Sequence, residues 1–120
     1  MIAHWRAGAK DALESAEVLH KARKYALALF ACHLAVEKVL KAAFLQERDE
    51  DPPPSHNLPH LASHLSRVWS EEEKTALEEL TDYAVAARYD DPGWAERQAT
   101  KENTAHWIVR TKEFLTLLIP

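Results

Sequence analysis

Apolar residues recur every three or four positions along most of the chain, which is the spacing that places them on one face of an α-helix. The pattern predicts five helices, at about 4–20, 25–45, 57–69, 70–89 and from 95 or 99 to 118. The second differs from the others because only four of its 21 residues are polar. A helix that is apolar around most of its circumference belongs in the middle of a bundle.

Local signals predict where these helices begin and end. The prolines of segment 49–55 (DEDPPPS) stop the second helix and indicate a loop. Ser70, followed three residues later by Glu73, is typical of a capping box that opens the fourth helix. Pro92 closes the segment after that helix, which puts Trp94 in a loop. Since short connections favour antiparallel neighbours, we predict an all-α fold, an antiparallel up-and-down bundle of four to five helices in a single domain of 120 residues.

The composition excludes several functional classes. Two glycines, Gly8 and Gly93, are too few for a Walker loop, a dinucleotide-binding fingerprint or a β-sandwich with many turns. The net charge of −4 argues against non-specific binding of nucleic acid by the whole surface. A local basic patch is still compatible with that charge, so binding of nucleic acid stays an open question.

The single cysteine and the short apolar runs bear on location. Cys32 has no partner for an internal disulfide, and its apolar surroundings favour a core residue over a reactive nucleophile. The longest apolar run, 25–32, has eight residues, whereas a bilayer span needs roughly 20. We therefore expect a soluble, cytoplasmic protein that does not interact with membranes.

The second helix carries a polar ribbon that admits two interpretations. His33, Glu37 and Lys41 fall four residues apart and so share one face. The ribbon is either a solvated edge, stabilised by an ion pair between Glu37 and Lys41, or one side of a groove that holds an anion or a partner. The spacing alone leaves both open.

Arg88, where the fourth helix ends, is a second candidate. It flanks the apolar stripe of that helix, so its guanidinium is placed to cross a groove and bind a carboxylate or a phosphate in a bidentate fork. The alternative is an internal ion pair with Glu37 that ties the fourth helix to the second.

The histidines around the third helix differ in their expected roles. His60 and His64 fall opposite the apolar face and are expected to point to water, with no further ligand to complete a metal shell. His56 precedes the helix, whose N-cap is expected to be Asn57, and its imidazole is placed to reach a neighbouring helix end. No metal, cofactor or catalytic residue is predicted, and these residues by themselves indicate no enzyme class.

Three motifs together carry a resemblance to a known family. They are FACHLAVEKVLKA at 30–42, HNL at 56–58 and ARYD at 87–90. With the N-terminal helix before them, they resemble the HEPN domain, the "higher eukaryotes and prokaryotes nucleotide-binding" module, over nearly the whole chain. The resemblance implies a helical bundle that dimerises, with a groove near the dimer axis. It also implies a separate minimal nucleotidyltransferase chain as partner, in a two-component or toxin–antitoxin pair.

Some members of that family are metal-independent ribonucleases with an arginine, four to six residues and then a histidine. None of the seven arginines in this chain has a histidine at that spacing. The sequence therefore gives no support to ribonuclease activity of that kind. Two alternatives stay open: a ribonuclease toxin in which His56 and Arg88 meet in space, and a purely structural dimerisation module.

The positions that match the family motifs form the candidate site. The resemblance implies that they bind an anion or a nucleotide in a groove, and they are His33, Glu37, Lys38, Lys41, His56, Arg88 and Tyr89.

Overall fold

A computed structural model describes residues 1–89 and 92–120, the side chains of Pro92 and Glu96 excepted, and in these ranges it has six helices where the sequence predicts five. They are α1 (Ile2–Lys21), α2 (Tyr25–Arg48), α3 (Leu58–Ser63), α4 (Glu71–Arg88), α5 (Pro92–Gln98) and α6 (Lys101–Leu118). Neither described range contains a β-strand. The predicted all-α bundle is confirmed.

Helix α2 lies at the centre, as its apolar sequence predicts. It packs against α1, α3, α4 and α6. Leu29, Val36 and Leu40 are fully buried, and Cys32 is a buried core residue as expected. The polar ribbon is buried too: His33, Glu37 and Lys41 are only 3%, 5% and 7% exposed. The interpretation of this ribbon as a solvated edge is therefore wrong, although its ion pair forms, with Lys41 Nζ 3.1 Å from Glu37 Oε2.

The predicted N-caps are confirmed. The Ser70 hydroxyl accepts the Glu73 N–H at 3.0 Å, and the Glu73 carboxylate accepts the Ser70 N–H at 2.8 Å, which completes the capping box of α4. The Asn57 side chain accepts the His60 N–H at 2.9 Å and caps α3. These bonds satisfy backbone donors that have no partner within their own helix.

Helix α3 is shorter than predicted, because neighbouring side chains take its backbone groups. The His64 carbonyl accepts two bonds from the Arg48 guanidinium, at 2.8 and 3.2 Å. The Ser66 N–H donates to Glu47 at 2.9 Å instead of continuing the helix. Trp69, expected on α3, lies beyond it and is buried, with its indole N–H donating to the Ala62 carbonyl at 3.1 Å.

The expectation that Trp94 lies in a loop is wrong. Pro92 opens α5 instead of closing a turn, a position where its missing N–H costs nothing. Trp94 is 8% exposed, and its ring centroid lies 5.8 Å from that of Tyr83. The last helix begins later than predicted because the Thr100 side chain accepts the Asn103 N–H and caps α6.

His60 and His64, both predicted to point to water, differ in their exposure. His60 is exposed, as predicted, but His64 is half-buried, with its ring 5.9 Å from that of Phe44. Within 1–89 and 92–120, no helix combines the length and the apolar composition that a membrane span requires.

Candidate functional site

A cavity of about 270 Å³ lies between α2 and α4, beside the segment that precedes α3. Its polar lining residues are His33 and Glu37 of α2, Thr81 and Arg88 of α4, and His56 and Asn57 before α3. Its apolar lining residues are Phe30, Leu34, Ala84 and Val85.

The two helical walls arise from the same spacing. Helix α2 contributes positions 30, 33, 34 and 37, and α4 contributes 81, 84, 85 and 88. Residues three, four and seven apart lie on one face of a helix. Where these two faces meet, each presents both apolar and polar groups to the same space.

His56 is held by two residues of α2 that lie one turn apart. Its Nδ1 lies 2.9 Å from Oε1 of Glu37, and its backbone carbonyl lies 2.8 Å from Nε2 of His33. A carboxylate and a carbonyl oxygen only accept hydrogen bonds, so Nδ1 of His56 and Nε2 of His33 act as donors. Nε2 of His56 is thereby left as the nitrogen available to a ligand, on a side chain that is 68% exposed.

The expected contact between His56 and a helix end is replaced by one with the middle of α2. Glu37 lies halfway along that helix, and its second oxygen accepts from Lys41 Nζ at 3.1 Å. Both Glu37 oxygens are therefore occupied, one by each partner.

Burial favours the neutral form of His33. It lowers the pKa of this imidazole below the ordinary value of 6.5, against the bond to the His56 carbonyl and the charge of Glu37, and the nearby His56 imidazole and Arg88 guanidinium act in the same direction as burial. Because Nε2 carries the proton, Nδ1 is a bare acceptor. Nδ1 is shielded from solvent and has no hydrogen-bond partner among the described residues.

Arg88 belongs to the opposite wall and is exposed. The ion pair with Glu37 that the sequence offered as an alternative does not form, since the Glu37 oxygens bind His56 and Lys41. Within 1–89 and 92–120, no hydrogen bond or ion pair occupies the Arg88 guanidinium. The cavity therefore carries a cationic group that is open to a ligand.

The other predicted site residues lie elsewhere. Lys41 is buried behind Glu37, with Nζ 5.5 Å from the centre of the Trp5 ring. Lys38 lies over α1, where a Cβ on Gly8 would come within 2.9 Å of its Cδ. Tyr89 is 76% exposed and does not line the cavity, and Asp90 of the ARYD motif lies outside the described residues.

The structure thus brings together four of the seven predicted residues, His33, Glu37, His56 and Arg88, and adds six that sequence reasoning missed. A signal for Thr81 was present, because it is a polar residue beside the apolar stripe of α4. Its hydroxyl donates to the Leu77 carbonyl at 3.0 Å and accepts the Leu58 N–H at 3.1 Å, so it joins α4 to α3. Ala84 and Val85 lie one turn before Arg88, so helical spacing from that residue indicates them as well.

Metal-ligating side chains do not converge in this part of the fold. Among the residues that the structure describes, no three His, Cys, Asp or Glu side chains are grouped as potential ligands of one ion. The reactive groups at the cavity are the His56 imidazole, which is held by the Glu37 carboxylate, and the Arg88 guanidinium.

Comparison with known proteins identifies the family. The HEPN domain model matches residues 2–119, nearly the whole chain. Neither the comparison with curated proteins nor the comparison with solved structures finds a match. With its helical bundle and this match over almost its full length, the chain belongs to the HEPN domain family.

Proposed function

We propose that the protein is a binding module whose cavity takes a nucleotide or another phosphate-bearing ligand. The observation that carries the proposal is Arg88, a guanidinium at a cavity where the nearby carboxylate is already occupied. A guanidinium fork matches the geometry of phosphate oxygens and binds them more strongly than neutral donors do.

The charges around the cavity favour an anion. The negative charge of Glu37 is balanced by the adjacent Lys41, so Arg88 is an excess positive charge at the cavity. His56 adds an outer ring nitrogen, Nε2, that is available to a ligand. With Lys41 counted against Glu37, the described residues that line the cavity thus carry an excess positive charge in a chain whose net charge is −4.

Isothermal titration calorimetry tests this proposal with inorganic phosphate and a panel of nucleoside monophosphates. We expect binding by the wild-type protein and a loss of about tenfold or more in affinity for Arg88→Ala, since a charge-assisted bond contributes about 1.5–3 kcal/mol. Arg97→Ala is the matched control, because Arg97 is exposed and does not line the cavity. Equal affinities for the wild type and Arg88→Ala, or no binding at all, would refute the proposal.

A homodimer is part of the proposal. HEPN domains commonly dimerise, and this chain exposes apolar side chains on, or next to, the two helices that form the cavity walls: Leu27 is 54% exposed, Val85 51% and Tyr89 76%. Burial of these groups against a second copy would remove them from water and narrow the opening of the cavity. Sedimentation at micromolar concentration is expected to give a dimer, and a monomer would contradict this part.

The partner we propose is a separate minimal nucleotidyltransferase chain, in a two-component pair of the toxin–antitoxin kind that acts in the cytoplasm. Family membership supports this. The test is co-expression with a minimal nucleotidyltransferase encoded beside this chain, followed by purification through a tag on one of them. A stable complex is expected, and separate elution of the two proteins would count against the pairing.

A second candidate function is metal-independent cleavage of RNA, favoured by the bond between Glu37 and His56 at the cavity that Arg88 also lines. His56 Nε2 would take the proton of a 2′-hydroxyl, whose oxygen attacks the adjacent phosphorus. Arg88 would stabilise the charge of the five-coordinate intermediate. The bond to the 5′-oxygen then breaks and this oxygen takes a proton from water, while His56 gives up its proton to the resulting hydroxide. The products are a 2′,3′-cyclic phosphate and a free 5′-hydroxyl.

Incubation with structured RNA in EDTA separates the two candidates. Cleavage that is lost in His56→Ala but kept in His60→Ala would favour the ribonuclease, since His60 is an exposed histidine away from the cavity. Intact RNA would leave the binding module as the function.

A further inference from the structure

The hydrogen-bonding groups inside the cavity are nearly all committed to the protein. The Thr81 hydroxyl both donates to the Leu77 carbonyl and accepts the Leu58 N–H. The Asn57 Oδ1 accepts the His60 N–H and thereby caps α3. Both Glu37 oxygens are likewise occupied.

The same holds for His33. Its Nε2 binds the His56 carbonyl, and its Nδ1, although without a partner among the described residues, is shielded from solvent and so out of reach of a ligand. Apart from Arg88, which is assigned to the phosphate, the Asn57 amide Nδ2 and the outer nitrogen of His56 are the groups left to hydrogen-bond a ligand in the described part of the cavity. Two groups are few for reading the edge of a nucleobase, which recognition sites distinguish by several donors and acceptors.

The apolar lining offers a different kind of recognition. Phe30 is half-buried and lines the cavity, and its ring lies nearly parallel to the His33 imidazole, with an interplanar angle of 30° and 6.3 Å between ring centroids. Leu34 lies one turn further along α2, and Val85 faces both from α4. Stacking on an aromatic ring stabilises every nucleobase, because each has a π face.

The volume limits the ligand. At about 270 Å³ the cavity is slightly smaller than pockets that hold drug-sized molecules, which begin near roughly 300 Å³. It suits one ring system with its phosphate at the opening beside Arg88. A longer oligonucleotide would have to extend outside it.

From these observations we propose that Phe30 binds the base of one nucleoside monophosphate by stacking, with little discrimination between bases. This inference rests on the proposed phosphate site and adds the class of ligand. The inference concerns the part of the ligand beyond the phosphate, so it can fail while the proposed phosphate site stands.

Calorimetry with ribose 5-phosphate, AMP and UMP tests the inference, because these ligands share a phosphate and differ in the base. The wild-type protein is expected to bind AMP about tenfold more tightly than ribose 5-phosphate, within the range that stacking of one base provides. AMP and UMP are expected to bind with affinities within about tenfold of each other, because stacking tolerates any base.

Variants of Phe30 identify the residue responsible. Phe30→Leu keeps an apolar side chain and is expected to abolish the advantage of AMP over ribose 5-phosphate while leaving the affinity for ribose 5-phosphate unchanged. Phe30→Tyr keeps the ring and is expected to retain the advantage. Val109→Ala is the control, because Val109 is an exposed apolar residue on α6 that does not line the cavity.

Several outcomes would overturn the inference. Equal binding of AMP and ribose 5-phosphate by the wild type would reject the base site and leave the phosphate site intact. An advantage that persists in Phe30→Leu would reject the assigned residue, and a preference of more than a hundredfold for one base would reject the tolerance. If none of the three ligands binds, the proposed function itself fails and this inference with it.

Discussion

His56 and Glu37 form a pair in which an exposed imidazole is held by a buried carboxylate. The two groups come from different parts of the fold and meet at 2.9 Å, with the His56 side chain 68% exposed and that of Glu37 6%. The bond fixes the ring so that Nε2 is its outer nitrogen. Lys41 compensates the buried negative charge of Glu37 from the other side.

The buried ion pair makes Glu37→Gln destabilising. The substitution leaves the ammonium of Lys41 without a carboxylate at a buried site, and removal of one partner from such a pair costs about 3 kcal/mol or more. Urea unfolding monitored by circular dichroism gives the free energy of unfolding. Glu78→Gln is the control, because Glu78 is exposed on α4, and it is expected to change stability by less than about 0.5 kcal/mol.

The double variant Glu37→Gln with Lys41→Met checks that explanation. If the uncompensated ammonium is the cause, removal of both charges costs less than the sum of the two single changes. Strict additivity of the three free energies would show that the pair is not coupled.

Burial of neutral His33 predicts a dependence of stability on acid. Its pKa in the folded protein lies below the ordinary 6.5, so the unfolded chain binds a proton at a higher pH than the folded one does. The stability that His33 contributes is present above about pH 6.5 and is lost as the pH falls through its folded-state pKa. The measurement is the free energy of unfolding in urea between pH 7.5 and 5.

His33→Gln isolates that dependence, since Gln keeps an N–H donor and does not titrate. The variant is expected to lose less stability than the wild type over the same interval. His60→Gln removes an exposed histidine and is expected to follow the wild type. If all three proteins lose stability in parallel, the acid dependence does not come from His33.

The central position of α2 could be predicted from its sequence, because burial all around a helix leaves a pattern that does not depend on what packs against it. Whether its polar ribbon faces water or the protein could not be predicted from the sequence of the helix. His33, Glu37 and Lys41 lie on one face, but whether that face meets water depends on what packs against it. His56 reaches Glu37 from a segment 19 residues later, and Trp5 of α1 lies against Lys41.

The cavity shows the same limit. The spacing of Ala84, Val85 and Arg88 follows from α4 alone, yet the pairing of this face with Phe30 and His33 of α2 is a property of packing.

Similarly, a proline after a helix ends one element or opens the next, and Pro92 opens α5. Only contacts with the core distinguish these cases.

Trp94 tests whether α5 is part of that core. It is 8% exposed and lies against Tyr83, so Trp94→Ala removes a large buried ring and is expected to cost about 3–5 kcal/mol of stability. Thermal unfolding followed by circular dichroism measures the change. Val68→Ala, at a residue that is 89% exposed, is expected to have little effect. A small effect of Trp94→Ala as well would mean that α5 contributes little to folding.

The end of α1 allows a stabilising substitution. Arg23 has φ of 62° and sits in a Schellman motif, in which its N–H donates to the His20 carbonyl and the Lys24 N–H to the Leu19 carbonyl. A side chain at this φ is strained, whereas glycine adopts it freely, so Arg23→Gly is expected to raise the free energy of unfolding by about 0.5–1 kcal/mol. Lys21→Gly, two residues earlier inside α1, is the matched control and is expected to lower it by about 1 kcal/mol because it loosens a helical position. If backbone conformation decides the effect, urea unfolding gives changes in the free energy of unfolding of opposite sign for the two variants. A loss of stability in both would mean that the Arg23 side chain stabilises the fold by more than its backbone strain costs.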